Sequence, residues 1–382
     1  MTLKIARRGQ VPPFIAMDVL RAANERAAAG DDVLHLEVGQ PSTPAPAAVL
    51  AAARAALGRE TLGYTDALGL PALREAIAAH YQLTYGLALD PSRVVVTTGS
   101  SGAFLLAFLA AFDPGDRVAM AAPAYPAYRN ILTALDLVPV ELAAAPEDRY
   151  QATLDLLRAQ GRGLDGLIVA SPANPTGTML APDELAAIAR YCRDMGIRLV
   201  SDEIYHGIVY SMTAATALST DDEAFVVNSF SKYFSMTGWR LGWMVAPVDM
   251  LRAIECLAQN LFISPPALSQ HAALAAFGCR DELDANVARY ARNRALLLEE
   301  LPKAGLARFA PADGAFYLYA DVAHLSNDSP EFCRRMLREI GVACTPGIDF
   351  DPARGNATLR LSFAGATDTM AEAARRLRAW RR

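Results

Sequence analysis

The sequence predicts an α/β protein in two parts, a mainly parallel β-sheet flanked by helices and a smaller α+β unit. Three observations carry that expectation. The chain has 382 residues, more than one compact core usually supports. Short apolar runs such as Val94-Val-Val-Thr97 and Leu167-Ile-Val-Ala170 are of the kind buried on both faces of a parallel sheet, and they alternate with helical stretches. Gly99, Tyr125, Asn174, Asp202 and Lys232 each follow a predicted strand, where an open α/β sheet forms its binding crevice.

Composition narrows the class of function. An apolar fraction of 53% and a mean hydropathy of +0.16 suit a soluble globular chain. No uninterrupted apolar run approaches the roughly 18 residues of a membrane span. The N-terminal Met-Thr-Leu-Lys-Ile-Ala-Arg-Arg-Gly-Gln has charge but no apolar stretch with a small-residue cleavage site after it, so a cytoplasmic location is expected. Cys192, Cys256, Cys279, Cys333 and Cys344 are odd in number and form no Cys-x-x-Cys pair. They suit buried thiols better than a disulfide framework or a zinc site. The net charge of -5, from 36 basic and 41 acidic residues, is interspersed along the chain and offers nucleic acid no basic face. Small molecules are the expected partners.

In chain order, residues 1–30 form an extended arm through Pro12-Pro13 and a helix over 16–29 that Gly30 closes. Leu34-His-Leu-Glu-Val38 reads as a strand, stopped by Gly39-Gln-Pro-Ser-Thr-Pro-Ala-Pro46. An alanine-rich helix over 47–57 and a helix over 71–85 flank the loop Gly63-Tyr64-Thr-Asp-Ala-Leu-Gly69. The Val94 strand passes through Thr98-Gly99-Ser100-Ser101-Gly102 into a helix over 103–112. The free N–H groups of such a helix start, with the Ser100 and Ser101 hydroxyls, either bind a phosphate or simply cap the helix. The glycine spacing matches neither a dinucleotide fingerprint nor a P-loop. A strand over 117–121 delivers Tyr125, whose ring face can stack on a planar ligand.

Strands over 137–142 and 167–170 follow, the second entering Ser171-Pro-Ala-Asn174-Pro-Thr-Gly177. After a helix over 182–195, a strand over 197–201 ends in Asp202-Glu-Ile-Tyr205. A strand over 224–227 leads into Ser229, and one over 241–246 leaves Arg240. Helices over 250–260 and 266–277 reach the charged Arg280-Asp-Glu-Leu-Asp, placed here as the domain boundary. Beyond it, a helix over 287–301, a strand in Gly314-Ala-Phe-Tyr-Leu-Tyr319, a helix over 330–340 and a strand around Leu359-Arg360-Leu-Ser-Phe363 make up the α+β unit.

The most chemically loaded stretch is Ser229-Phe-Ser-Lys-Tyr-Phe-Ser-Met-Thr-Gly-Trp-Arg240. Lys232 can condense with an aldehyde to an imine once its surroundings tune the amine. Arg240 offers a permanently charged fork for a phosphate, and the Ser229 and Ser231 hydroxyls can donate to the same oxygens.

This stretch resembles the cofactor-lysine motif of the class I/II aminotransferases, which use pyridoxal 5'-phosphate (PLP). Gly39-Gln-Pro41, Tyr64-Thr-Asp-Ala-Leu-Gly69, Asn174-Pro-Thr-Gly177, Asp202 to Tyr205 and Arg360-Leu-Ser-Phe363 match other landmarks of that family in order. The resemblance implies fold type I: a mainly parallel, seven-stranded sheet flanked by helices, with a smaller α+β domain. It implies an N-terminal arm and part of the small domain in residues 1–44, a large PLP-binding domain in 45–279 and a small C-terminal domain in 280–382. It further implies a homodimer with shared active sites, because the tyrosine matching Tyr64 reaches the cofactor phosphate of the neighbouring subunit.

Roles follow residue by residue. The Ser100-Ser101 turn, Ser229 and Arg240 hold the phosphate, Tyr125 stacks on the ring, and Asn174 donates to the ring oxygen. PLP withdraws electrons best when its pyridine nitrogen is protonated, and the Asp202 carboxylate stabilises that cation. Tyr205 bonds the ring oxygen. Gly39 lies beside the substrate carboxylate, which Arg360 grips in two parallel bonds. Lys232 holds PLP as an imine until an amino acid displaces it. The freed amine then carries a proton from the substrate α-carbon to the cofactor in ping-pong transamination, releasing a 2-oxo acid.

A PLP lyase or decarboxylase could use the same parts, and an aspartate aminotransferase is the other alternative. A PLP-sensing transcription regulator would need a DNA-binding domain, and the residues before the first predicted strand contain no basic helix pair. The sequence departs from the family at Gly102, where many relatives are acidic, and in a compressed loop over 211–216. Some aspartate-using relatives carry a lysine where Ser101 stands. With Pro12, Pro13, Phe14 and Ile15 in an arm that closes over the site in relatives, neutral donors are expected: aromatic, methionine-like or aliphatic amino acids. As acceptor, 2-oxoglutarate stays open if Arg360 or a partner arginine swings to it.

Overall fold

The structure is a computed structural model that describes residues 3–380. Helix α1 (Ile15–Ala28), the two-residue strand β1 (Leu34–His35) and helices α2 (Ala47–Arg59) and α3 (Pro71–Tyr85) come first. The middle of the chain alternates β2 (Val94–Thr97), α4 (Gly99–Ala111), β3 (Arg117–Ala122), α5 (Pro126–Ala134), β4 (Val138–Ala143), α6 (Leu154–Gln160), β5 (Gly166–Ala170), α7 (Pro182–Met195) and β6 (Arg198–Asp202). Then follow β7 (Phe225–Ser229), β8 (Gly242–Val245), α8 (Leu251–Leu261), α9 (Ala267–Ala273) and the 21-residue α10 (Arg280–Glu300). The remainder is β9 (Arg308–Phe309), β10 (Tyr317–Asp321), α11 (Ser329–Ile340), β11 (Val342–Ala343), β12 (Thr345–Pro346), β13 (Thr358–Ser362) and α12 (Thr367–Ala379).

Seven strands form one sheet in the order β2-β8-β7-β6-β5-β3-β4. Only β8 runs against its neighbours; the pairs from β7 to β4 are parallel. The composition of each strand explains its place. Every residue of β2, β7 and β8 is buried, so helices cover both faces there. Strand β4 carries exposed Val138 and Glu141 and a proline, Pro139, which an edge tolerates because it need not donate on its outer side. Helix α4 is apolar almost all round and packs on β7 and β8, with Phe104 and Phe108 inside. On the other face Trp243 is fully buried against Phe230 and Phe234. Each such ring contributes about 1.5–3 kcal/mol by leaving water. No helix among the described residues is long and apolar enough to cross a membrane.

A second, antiparallel sheet has the order β12-β13-β10-β9, and β1 pairs in parallel with β11. The first residues of the chain thus meet its last hundred. Several boundaries differ from the sequence-based ones. The strand expected over 34–38 is only Leu34–His35: the Leu36 amide still donates to the Ala343 carbonyl at 3.0 Å, but its carbonyl accepts from Ser362 of the antiparallel sheet at 2.7 Å. Helix α4 begins at Gly99 rather than 103, so Ser100 and Ser101 stand in its first turn. Helix α10 begins at Arg280 rather than 287, and its acidic Asp281 and Glu282 suit the positive start of a helix. The charged stretch placed at the domain boundary is thus the first turn of this helix. The strand expected over 314–319 lies at Tyr317–Asp321. Helices α5, α6 and α12 had no counterpart in the sequence-based reading.

Candidate active site

A cavity of about 390 Å³ opens where the parallel strands end. Strand β2 delivers Ser100 and Ser101 to it, β3 delivers Tyr125, β5 Asn174, β6 Asp202 and Tyr205, and β7 Ser231 and Lys232. The antiparallel sheet adds Tyr317 and Arg360 from the opposite side, and the first forty residues add Phe14, Met17, Leu20 and Gly39. Its charged lining is Asp202, Lys232, Arg240 and Arg360.

Asp202 is 5% exposed. Tyr128, on α5, donates to its Oδ2, and the Ile204 amide donates to Oδ1 at 3.0 Å. Burial pushes its pKa up to about 6, against the pull of those two donors and of Lys232. At neutral pH the group is an anion with a well-defined direction.

Lys232 Nζ donates to the Gly39 carbonyl at 2.7 Å and lies 5.9 Å from the centre of the Tyr205 ring. Burial first, then the Arg360 and Arg240 charges, lower its pKa to about 8, with Asp202 opposing. A minor but far larger than ordinary fraction of the amine is consequently neutral near physiological pH. No side chain fits at Gly39, for a Cβ there would fall 1.7 Å from the Tyr317 hydroxyl.

That hydroxyl in turn shares a 2.6 Å hydrogen bond with the hydroxyl of Tyr205. Burial holds both phenols above their ordinary range.

Arg360 is only 2% exposed, and its guanidinium lies between the rings of Tyr317 and Phe350, at 4.4 and 4.8 Å from their centres. Nη1 donates to Asn174 Oδ1 at 2.8 Å, and Nη2 donates to the Glu37 carbonyl and to Thr345 Oγ1. Its buried Nε has no acceptor within the described residues. Because the Asn174 oxygen is occupied, the amide's NH₂ is the group left to donate.

The start of α4 lies against Arg240. A Cβ on Gly99, whose φ is +75°, would come 2.7 Å from the guanidinium. Arg240 itself holds a left-handed backbone, φ 51°, with Nη1 bonded to the Thr237 carbonyl at 3.1 Å. Ser101 is exposed and Ser100 half-buried beside this fork. Free amides, two hydroxyls and a guanidinium form a donor set suited to a phosphate, and Asp202 suits a protonated ring nitrogen. The residues present therefore fit PLP.

Of the site residues named from sequence, Ser229 and Tyr64 lie outside this lining. Ser229 is 1% exposed, and its hydroxyl is spent on the Leu241 carbonyl at 3.0 Å and on Ser231 Oγ at 2.8 Å. Ser231 faces the cavity instead. Tyr64 is 83% exposed. Pro12, Pro13 and Ile15 do not line the cavity, whereas Phe14 does, packed edge-on against Tyr125 at 5.6 Å. Sequence reasoning passed over Tyr128 and the role of Tyr317. Tyr128 stands three residues after Tyr125 on an amphipathic helix, a weak signal that pairing with a carboxylate 74 positions on could not supply.

The family model for aminotransferase class I and II matches residues 31–377. A valine–pyruvate aminotransferase from Mycobacterium tuberculosis is 54% identical, with 100% of this chain and 99% of the relative covered. The crystal structure of an aminotransferase from Mycobacterium tuberculosis superposes with a TM-score of 0.98 at 53% identity, covering 99% of each chain. Aspartate aminotransferase from Thermus thermophilus with maleate superposes with a TM-score of 0.93 at 32% identity, covering 99% of this chain and 100% of that one.

Proposed function

Since the chain belongs to the class I and II aminotransferases, we propose that its physiological reaction moves the amino group of a small apolar L-amino acid of the valine type to a 2-oxo acid such as pyruvate, leaving the 2-oxo acid of the donor. The single observation that carries the choice of donor is the cavity wall. Phe14, Met17 and Leu20 are apolar, and the charged groups of the lining all have other work to do. A distal carboxylate would be buried there at a cost of several kcal/mol, whereas a branched apolar side chain gains by leaving water.

In this reading PLP is held by the α4 amides, Ser100, Ser101, Ser231 and Arg240 at its phosphate, by Asp202 at its ring nitrogen, and by Tyr125, Tyr205 and Asn174 at its ring. When bound, PLP supplies the aldehyde that takes up the amino group and the ring that accepts electrons from the substrate's α-carbon. The chain's own residues do the rest. Arg360, immobilised by its two rings and by Asn174, grips the substrate carboxylate. Lys232, a fraction of whose amine is neutral at pH 7, takes the proton from the substrate's α-carbon and would hand it to the cofactor carbon that receives the amino group, and the Gly39 carbonyl aims its Nζ. Tyr128 and the Ile204 amide keep Asp202 ionised and aligned.

The proposal includes a homodimer in which the exposed Tyr64 serves the partner's cavity. It also divides the chain at residues 44 and 279, because Gly39 and Arg360 reach the cavity from one side and Asp202 and Lys232 from the other.

A donor panel of valine, leucine, alanine, methionine, phenylalanine and aspartate, with pyruvate and 2-oxoglutarate as acceptors, tests it. Valine should exceed aspartate in kcat/KM by tenfold or more. An aspartate preference of tenfold, about 1.4 kcal/mol, refutes the donor assignment.

A further inference from the structure

Asp349 closes the short 3₁₀ turn Gly347–Asp349 and reaches across to the N-terminal arm. Its Oδ1 accepts from the Ile15 amide and its Oδ2 from the Ala16 amide, both at 3.0 Å. These are the first two N–H groups of α1, which no carbonyl of the helix itself can satisfy. Phe14, at the capping position, has no side-chain acceptor, so the cap comes from a residue more than 330 positions away. A carboxylate also complements the positive start of the helix. Asp349 is 3% exposed, which keeps water from competing.

The same short segment holds the other end of the cavity. Phe350 stacks on Arg360, and its carbonyl accepts from the Ala124 amide at 3.1 Å, next to the Tyr125 ring against which Phe14 packs. Further along, α1 packs through Ala23 on Leu337 and Ala343, whereas the extended segment before it is weakly attached. Asn130 donates to the Pro12 carbonyl at 3.3 Å, and Arg7 and Arg8 face Asp136 at 3.7 and 3.5 Å on the surface.

We propose that Asp349 is a positioning residue for side-chain selectivity, its two bonds to α1 seating the apolar wall of Phe14, Met17 and Leu20 against the substrate. This rests on the neutral-donor reading above. A methyl side chain presents too little surface to depend on that wall, whereas a branched one leaves water only if the wall is in place.

The test uses holoenzyme carrying Asp349→Ala or Asp349→Asn, with alanine, 2-aminobutyrate and valine as donors in the half-reaction without acceptor. Asp349→Ala should raise the half-saturating concentration of valine tenfold or more and that of alanine less than twofold. Limiting rates and the affinity for PLP should stay within twofold. Asp349→Asn, which keeps one acceptor oxygen, should raise the valine value about threefold and so rescue part of the loss. An equal rise for all three donors, or a fall in limiting rate at unchanged half-saturation, overturns the proposal. If Asp349→Ala does not fold, Asp349→Asn decides alone, and a valine value equal to wild type overturns it. A wild type that reacts with none of the three donors brings down the neutral-donor reading and this proposal together. A wild type that uses valine alongside an Asp349→Ala variant that matches it brings down only the assignment of Asp349.

Discussion

Replacing Arg360 by lysine keeps the charge and removes the shape. The guanidinium now makes bonds to Asn174, Thr345 and Glu37 while its faces rest on Tyr317 and Phe350, and Nε remains available. A lysine ammonium has three donors at one point and no planar face. It cannot stay anchored to these acceptors and also offer two parallel bonds to a carboxylate. One charge-assisted bond to the substrate lost is worth about 1.5–3 kcal/mol. The two stacked faces are present with or without substrate, so losing them frees the side chain but adds nothing directly to this figure. The upper end, about 3 kcal/mol, corresponds to a fall in kcat/KM on the order of 100-fold. Because the carboxylate is gripped before and during the reaction, most of the loss should appear as weaker saturation. The assay is the half-reaction over a range of valine concentrations, with a thermal melt and PLP titration to show that fold and cofactor site persist. A change below fivefold, about 1 kcal/mol, would refute the idea that the sandwiched fork is what holds the substrate.

Three further outcomes are expected. Asp202→Asn keeps the size of the side chain and removes its charge, so it should slow the half-reaction on the order of 100-fold or more while PLP still binds; a near-normal rate means another group charges the ring. In protein freed of PLP, the pH-dependent acylation rate of Lys232 should show a midpoint near 8. Since neighbouring cations disfavour the charged amine, Arg240→Met should move that midpoint upward, and a wild-type midpoint near the ordinary lysine value of about 10.4 contradicts the electrostatics. Mixing Tyr64→Phe chains with Lys232→Ala chains should place both lesions in one site of a heterodimer and leave the other whole, restoring part of the activity. No gain in well-mixed heterodimers shows that each chain uses its own tyrosine.

The strand-end residues were legible because their signals are local. Asn174, Asp202 and Lys232 each follow an apolar run by a residue or a few, and an open α/β sheet collects such positions at one edge. Arg360 was legible through the match of Arg360-Leu-Ser-Phe363 to the family pattern, since an arginine on a strand otherwise reads as facing water, and only the structure shows it 2% exposed. Ser229 and Ser231, two residues apart on one turn, look alike in sequence. Only the position of the Leu241 carbonyl decides which hydroxyl is consumed and which faces the cavity. Tyr317 reads as one aromatic in an apolar strand, yet it touches Gly39, Tyr205 and Arg360 at once. The cap of α1 by Asp349 has no sequence signal, since a helix start is recognised from the residues next to it and here those are Phe14 and two prolines. The sequence by itself determined the sheet and much of its helical cover, because these rest on periodicity, and it marked Lys232 as the candidate for the imine because the stretch around it matches the family's motif. The tertiary structure alone decided which hydroxyls, rings and carboxylates face one another, because hydrogen bonds and ring contacts are settled within a few ångströms, between residues that the chain keeps more than 330 positions apart, as Asp349 and Ile15 are.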